Sequence, residues 1–461
     1  MLDFKNKKIT IMGLGLQGGG LAVTKFLAKQ GAILTVTDLK NATQLKASLR
    51  QLKGYKINFV LGQHRRQDFK NADLIIKNPG VRQDSKFLII AKKNKIPIET
   101  DLSLFFKLCP ANKIAGITGT KGKSTTTSLA YQIIKAYKRE AILGGNIRIS
   151  PLDFLPKIKK DTPVVLELSS WQLEGLAESR VSPKYALITN VLVDHLNTYK
   201  NISDYAKAKA LIFKFQKPDD VLILNKDNNI TRQMVKAAKA KTFFYSKQKL
   251  NKKENGSFIN KDWIVYQVLG KKNKVMKIKD IKIRGGHNLE NILAAATLTK
   301  IFGVPNKIIK KVASQFKGIE GRLQLIREYK GVKFYNDTTA TTPDAVIAAL
   351  NSFEQKTVLL AGGTDKKLDF KALAKVIKEK VRALILFEGT ATEKLAPELK
   401  KINYNQEIIF VDSMPEAFKQ AKYILKPGDV FILSPGAASF GLFINEFDRG
   451  DQFNKEVKKI K

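Results

Sequence analysis

The sequence predicts an α/β protein of three units, each a mostly parallel sheet with helices on both faces. Three observations predict it. The chain has 461 residues, 44% of them apolar, which suits about three domains at roughly 100–200 residues apiece. Short apolar runs of strand length alternate with helix-period segments, and parallel neighbours need such crossover helices between them. The alternation restarts twice, putting joints near residues 101 and 318 and dividing the chain into 1–101, 102–318 and 319–461.

In the first unit, KKITIMGLG (7–15) reads as a buried strand ending in a glycine-rich turn. Residues 17–30 read as a helix stopped by Gly31, because glycine readily takes the left-handed conformation that ends helices. AILTVTD (32–38), ADLIIKNPG (73–80) and KIPIET (95–100) read as further strands. In the second unit the strands are KIAGIT (113–118), TPVVLELSS (162–170), YALITNV (185–191) and DVLILN (220–225). Residues 241–284 change character and read as antiparallel strands, with 271–284 an exposed pair, before two helices from His287 and Pro305. The third unit opens with paired strands in LQLIREYKGVKFYND (323–337) and continues through TVLLAGG (357–363), RALILFEG (382–389), EIIFVD (407–412) and DVFILSPG (429–436).

Residues Gly13, Leu14, Gly15, Leu16, Gln17 and Gly18 match G-x-G-x-x-G between a strand and a helix. Glycines there let the backbone approach a diphosphate, and the helix N-terminus offers free N–H groups. Asp38 ends the next strand, where a carboxylate can accept hydrogen bonds from a ribose or a base. The motif admits a nucleotide diphosphate, an NAD-type dinucleotide, or simply a tight strand-to-helix turn.

GITGTKGKST (116–125) follows a strand and opens a helical pattern at 123–138. A glycine-rich loop in that position aims backbone N–H groups at phosphate oxygens. Lys123 would reach the β- and γ-phosphates, and the Ser124 hydroxyl would face Mg²⁺. The spacing departs from the strict phosphate-loop pattern at Ile117, where glycine or alanine is usual. Glu167, near the end of VVLEL, and Asp194 and His195, after YALITNV, stand at other strand ends. Strand ends on one edge of a parallel sheet converge in space, so these groups are expected to hold divalent metal against phosphate.

Bulk composition limits the alternatives. No apolar run approaches a membrane span, and neither a signal peptide nor an anchor is expected. Cys109 is the only cysteine, so no disulfide forms within the chain, in keeping with a reducing, cytoplasmic setting. Lys+Arg outnumber Asp+Glu 82 to 41, a net charge of +41. That excess permits a nucleic-acid-binding ATPase, but the lysines are spread along the whole chain, as on a solvated surface. KKNKVMKIKDIKIR (271–284) also lacks interleaved aromatics for base stacking. No nucleic-acid or membrane partner is expected.

Taken together, the motifs resemble the Mur ligases, ATP-dependent amide-forming enzymes of peptidoglycan synthesis. GITGTKGKST looks like their ATP loop, and ELSSWQLE (167–174) resembles the glutamate-adding branch most. GGN (144–146), TNVLVDHLNTY (189–199), YAKAKALIF (205–213), HNLEN (287–291), GIEGR (318–322), YND (335–337), GGTDKKLDF (362–370) and SPGAASFGLF (434–443) follow in the family's order. The resemblance implies Rossmann-like N- and C-terminal domains around a central P-loop-type ATPase domain. The first would bind a UDP-sugar, the second ATP and the third the amino acid.

On this sequence the resemblance assigns the UDP-sugar to residues 13–18, Asp38, Asn78, Pro79, Gly80 and Asn146. It assigns ATP to Gly119, Thr120, Lys121, Gly122, Lys123, Ser124, Thr125, Asn288, Asn291, Arg322 and Asp337. Ser124, Glu167 and His195 would bind metal, with two Mg²⁺ ions expected. Lys209 matches a lysine that CO2 converts to a carbamate, which then helps hold the second ion. Lys366, Ser439 and Phe440 would meet the incoming amino acid. The implied reaction activates UDP-N-acetylmuramoyl-L-alanine as an acyl phosphate and adds glutamate, preferably the D-isomer. The expected enzyme is a cytoplasmic monomer whose closure would exclude water from the acyl phosphate.

Two positions depart from the family pattern. Thr339 stands where it usually has lysine, and Gly441 where it usually has aspartate. Both lie toward the glutamate end of the expected site, so a variant adding L-glutamate is an alternative. A folylpolyglutamate synthase resembles the second and third units but lacks a separate glycine-turn domain of about a hundred residues. An NAD-dependent dehydrogenase would rest on the glycine turn alone.

Overall fold

A computed structural model describes residues 3–15, 19–147, 149–194, 198–283, 285–366 and 368–460. The first sheet holds β1 (Lys8–Met12), β2 (Ile33–Asp38), β3 (Ile57–Leu61), β4 (Leu74–Lys77) and β5 (Ile98–Glu99). They lie in the order β3-β2-β1-β4-β5, every pair parallel. Ile9, Ile11 and Met12 of central β1 are all buried, as a strand covered on both faces requires. The helix Gly19–Lys29 follows the turn after β1 and buries Ala22, Val23 and Leu27.

The second sheet holds β6 (Lys113–Thr118), β7 (Ile142–Gly145), β8 (Pro163–Glu167), β9 (Tyr185–Ile188), β10 (Val221–Asn225), β11 (Lys241–Ser246), β12 (Gly256–Asn260), β13 (Trp263–Val268) and β14 (Lys271–Lys277). Its order is β14-β13-β12-β11-β10-β9-β6-β8-β7. This corrects the antiparallel expectation for residues 241–284 in part. β11 runs parallel to β10 and β12 parallel to β11; only β12-β13-β14 is antiparallel. Residues 271–284 hold one strand, β14, and the 3-10 turn Ile278–Asp280, not a strand pair. Across that ladder Trp263 packs 5.1 Å from Lys274 and 5.4 Å from Lys277, so an aromatic does sit among these lysines, supplied by the neighbouring strand.

These two sheets fall in one compact unit, residues 1–281 with 286–315. They share a core in which Ile9, Ile11 and Val36 join Leu102, Phe105, Leu166 and Leu173. The link between them is the helix Asp101–Leu108, started by a capping box in which Thr100 and Ser103 satisfy each other's backbone N–H.

The second compact unit, residues 282–285 with 316–461, carries the third sheet. It holds β15 (Gln324–Tyr329), β16 (Val332–Asn336), β17 (Thr357–Gly362), β18 (Val381–Phe387), β19 (Ile408–Val411) and β20 (Val430–Leu433). The order is β15-β16-β20-β17-β18-β19, parallel except for the β15-β16 hairpin. Side chains alternate between two layers: Leu359 and Ala361 join one apolar cluster, Val358 and Leu360 the other. That is the period-two pattern of a strand buried on both faces. Among the described residues no helix is long and apolar enough to cross a membrane.

Candidate active site

The phosphate loop leaves β6 at Thr118 and enters the helix Lys123–Tyr137, whose N-cap Gly122 sits at φ +80°. β9 and β8 flank β6, so the residues after each of them border the loop. Thr189 and Asn190, just past β9, hold it in shape. Thr120 N–H donates to the Asn190 carbonyl and Lys121 N–H to Asn190 Oδ1, both at 2.9 Å. Thr189 Oγ1 donates to the Lys121 carbonyl at 2.7 Å. Gly119, at φ +148°, is pressed so close that a Cβ would overlap the Thr189 hydroxyl, which is why only glycine fits there.

Lys123 Nζ donates to the carbonyls of Gly119 at 2.9 Å and Thr120 at 3.0 Å. Ser124 is half-buried in the first helical turn, and Thr125 is buried. Asn291, on the helix Gly286–Ile301, is buried against Gly122 and accepts from Thr126 Oγ1 at 3.3 Å while donating to Asn288 Oδ1 at 3.2 Å. Its position braces the phosphate loop.

Glu167 is the last residue of β8 and is buried. The next helix, Ser170–Glu178, starts at once under a Ser169–Gln172 capping box, which fixes where the strand ends. Glu167 Oε1 accepts from Asn146 Nδ2 at 3.1 Å, and Oε2 is buried with no hydrogen-bond partner among the described residues. An uncompensated carboxylate oxygen is costly to bury, and a divalent cation would compensate it. No three His, Cys, Asp or Glu side chains gather to hold a metal among the described residues. His195, expected beside Glu167, lies outside those residues. Its neighbour Asp194 takes an ion pair from Lys121 at 3.3 Å.

Lys209 stands near the end of the helix Ile202–Ala210, which Asn201 caps through the Asp204 N–H. It is only 1% exposed, yet Nζ donates to the Gly119 carbonyl at 2.8 Å and lies 4.4 Å from the Tyr205 ring centre. Burial, reinforced by the Lys123 charge and opposed by Asp194, pushes its pKa down to about 6. Lysine at neutral pH is then largely the free amine, the form that attacks CO2. The residues present therefore fit both the divalent cation and the carbamate.

At the edge of the first sheet Gly13, Gly15, Asp38 and Asn78 meet. Gly13 and Gly15 have φ of +92° and +65°, and a Cβ on Gly13 would lie 2.9 Å from Asn78 Cβ. Asn78 Nδ2 donates to the Gly13 carbonyl at 3.4 Å, and Gly80 N–H to Asn78 Oδ1 at 3.1 Å, which folds Pro79 and Gly80 over the turn. Asp38 accepts from Gly15 N–H at 3.0 Å and Lys40 N–H at 2.9 Å. Its carboxylate thus holds the glycine turn itself, while Leu14 is buried beneath. Leu16, Gln17 and Gly18 lie outside the described residues.

In the second compact unit, Asp337 follows β16 and is buried, accepting from Leu323 N–H at 3.0 Å and Ser434 Oγ at 2.8 Å. Burial raises its pKa to about 7, against the opposing pull of Ser434, Leu323 and exposed Arg322. Lys366 Nζ donates to Thr341 Oγ1 at 3.0 Å. Ser439 is buried, whereas Phe440 is exposed and accepts at its carbonyl from Thr364 Oγ1. Thr339, at the position of the family's lysine, donates to the Gly321 carbonyl at 2.8 Å.

Sequence reasoning gave no individual role to Thr189, Asn190, Thr341 or Arg449. Thr189 and Asn190 were findable as the polar pair ending a buried strand. Arg449 was not, since an arginine on a helix normally reads as surface, and this one is fully buried.

Comparison with known proteins follows the same division. Residues 7–100 match the family description "Mur ligase MurD-like, N-terminal domain", residues 117–299 "Mur ligase middle domain" and residues 321–436 "Mur ligase, glutamate ligase domain". A UDP-N-acetylmuramoylalanine--D-glutamate ligase of Roseiflexus sp. (strain RS-1) is 42% identical, covering 100% of both chains. The protein of that name from Acetivibrio thermocellus is 40% identical over 99% of this chain and 97% of its own. Among solved structures, the UDP-N-acetylmuramate-alanine ligase MurC of Thermotoga maritima superposes with a TM-score of 0.64 at 21% identity, covering 99% of this chain and 100% of that one. That last likeness speaks for the fold alone.

Proposed function

We propose the following working for this chain, which belongs to the Mur ligase family. It is an ATP-dependent ligase of peptidoglycan synthesis that adds glutamate to UDP-N-acetylmuramoyl-L-alanine, releasing ADP and phosphate. D-Glutamate is the amino acid in the names of the relatives at 42% and 40% identity. In this reading residues 1–101 hold the UDP-sugar, 102–318 ATP and 319–461 glutamate, in a monomeric cytoplasmic enzyme.

The observation that carries the reading is the grouping at one sheet edge of Lys123, the Glu167 oxygen that has no partner among the described residues, and buried Lys209, with Lys123 and Lys209 on the same carbonyl. A carboxylate is a poor electrophile, so the acceptor's terminal carboxylate first attacks the γ-phosphorus and displaces ADP. Lys123 would turn from the loop carbonyls to the phosphates and offset the charge that builds as the phosphoryl group passes. Backbone N–H groups of residues 119–125 would hold the phosphates in line, so catalysis here is mainly electrostatic. The glutamate amine then attacks the acyl phosphate carbonyl. A tetrahedral carbon forms and collapses, phosphate leaves, and the amine's proton is lost to solvent or base.

Ser124, Glu167 and His195, with Lys209 as its carbamate, would hold two Mg²⁺ ions, which neutralise phosphate charge when bound. The carbamate forms when the Lys209 amine attacks CO2 and sheds one proton, turning a potential cation into an anion. Lys366, Thr341, Ser439 and Phe440 would receive glutamate. Gly13 to Gly15, Asp38 and Asn78 to Gly80 would shape the UDP end, and Leu16, Gln17 and Gly18 are proposed to bind the same group. Arg322, Asp337, Asn288 and Asn291 would serve the nucleotide, the last through its brace on Gly122.

Thr339 and Gly441 favour one second reading, an enzyme that takes L-glutamate, because both remove charged side chains expected near the amino acid. The deciding experiment measures phosphate release from ATP with UDP-N-acetylmuramoyl-L-alanine, Mg²⁺ and bicarbonate, comparing D- with L-glutamate. Release with D-glutamate alone is the expected result. Release with neither, from folded protein, would end the reading.

A further inference from the structure

Gly145 and Asn146 together meet Glu167 three times. Gly145 of β7 pairs in register with Glu167 of β8. Asn146 N–H donates to the Glu167 carbonyl at 2.8 Å, and Asn146 Nδ2 donates to Glu167 Oε1 at 3.1 Å. The approach depends on glycine at 145, which sits at φ +97° and where a Cβ would overlap the Glu167 carbonyl oxygen. Glu167 is buried and Asn146 exposed, so Asn146 is the solvent-accessible partner of the pair.

Chemistry fixes which way that amide faces. A carboxylate only accepts, so the NH2 end must point at Glu167, leaving Asn146 Oδ1 as an acceptor for something else. Glu167 Oε1 is tied down by this bond and Oε2 has no protein partner among the described residues. A single anchored oxygen sets the rotation of the carboxylate and so aims the other at one point.

We infer that Asn146 is a positioning residue which couples metal affinity at Glu167 to occupancy by the acceptor substrate. The inference rests on the reading of Glu167 as a metal ligand. An N–H on the acceptor that donates to Asn146 Oδ1 polarises the amide and strengthens its bond to Glu167, since linked hydrogen bonds reinforce one another. Partners that orient metal-binding carboxylates set metal affinity strongly. Coupling between two binding events is reciprocal, so the metal must tighten the acceptor by the same factor.

The test uses full-length, nucleotide-free protein with Mn²⁺ as the probe, counting bound ion by electron paramagnetic resonance with and without UDP-N-acetylmuramoyl-L-alanine. In the unaltered protein the acceptor should tighten Mn²⁺ by about fivefold or more. Asn146→Ala, and Asn146→Leu, which keeps the branched shape without donor or acceptor, should bind Mn²⁺ about tenfold more weakly. In both variants the acceptor should no longer change that affinity. Wild-type Mn²⁺ affinity in both variants, or an acceptor effect that survives in both, overturns the inference. Glu167→Gln separates the two ideas: if it leaves Mn²⁺ binding unchanged, the metal reading of Glu167 falls first and takes this inference with it.

Discussion

Lys209 Nζ and the Gly119 carbonyl are 2.8 Å apart, and the same oxygen accepts from Lys123 at 2.9 Å. A residue from the helix Ile202–Ala210 is thereby fastened to the phosphate loop some ninety positions earlier in the chain. Burial, reinforced by the repulsion between two potential ammonium groups on one acceptor, explains the fall of the Lys209 pKa to about 6.

That fall makes a pH prediction with a definite sign. Carbamate formation needs the free amine. At fixed dissolved CO2, the initial rate at which ¹³CO2 labels Lys209, followed by NMR, should rise through about pH 6 and level off above it. A lysine with the ordinary value of 10.5 would keep gaining about tenfold per pH unit to beyond pH 9. An initial rate still climbing at pH 9 would remove the burial argument. Lys209→Ala should abolish turnover, and short-chain carboxylates should restore part of it by standing in for the carbamate.

Lys123→Ala should lower kcat at least about a hundredfold, the usual effect of deleting a charge-stabilising group at a transition state. Because Lys123 is only half-buried and its ammonium donates to the loop carbonyls of Gly119 and Thr120, the melting temperature should change little. Steady-state kinetics beside a thermal melt checks both halves. A variant with near-normal kcat would show that the phosphates sit elsewhere.

Asp337 gives a stability prediction of opposite direction. Its pKa is about 7 in the fold and near 3.8 when unfolded. Between those values the folded chain holds a proton that the unfolded chain has lost, so the group's cost to stability is absent below pH 4 and full above pH 7. Asp337→Asn, which can still accept from Leu323 N–H, should therefore melt higher than the parent at pH 8 and match it near pH 4. The same change should weaken ATP binding, read by calorimetry, as expected of a functional group kept against stability.

Most strands were legible because their apolar runs end in Gly, Asp or Asn, at the sheet edge where the chemistry gathers. The two unread strands of the first and second sheets, β3 and β7, are sheet edges. β3 exposes Asn58 and Phe59, and β7 is only Ile-Leu-Gly-Gly, so neither carries a continuous apolar run. The misread direction of β11 and β12 has another cause: alternation along a strand says which face is buried but not which neighbour it pairs with. At the site, residue type and spacing pointed to Lys123 and Glu167, and the family resemblance to Lys209. They gave no hint that Asp38 holds its own glycine turn or that Asn146 grips Glu167, because both depend on side-chain geometry between separate strands.

Arg449 is the most hidden determinant, and its prediction follows from its contacts. The guanidinium is fully buried and donates from Nη2 to the Thr338 carbonyl at 2.9 Å, from Nε to Thr338 Oγ1 at 3.1 Å and from Nη1 to the Ala437 carbonyl at 3.3 Å. Burial pushes its pKa down to about 10, with Glu446 opposing. It thus staples the segment after β16, which leads to Thr341, to the segment after β20, which leads to Ser439. Arg449→Met removes the charge but strands both carbonyls, at about 1–3 kcal/mol for each group left unsatisfied. Arg449→Lys keeps a charge, but its point-like ammonium cannot reproduce the planar fork. Both variants should melt lower, and both should raise KM for glutamate several-fold more than KM for the UDP-sugar, whose expected residues lie in the other compact unit. Equal increases in the two KM values would mean that Arg449 supports the fold at large and has no particular hold on the amino-acid end of the site.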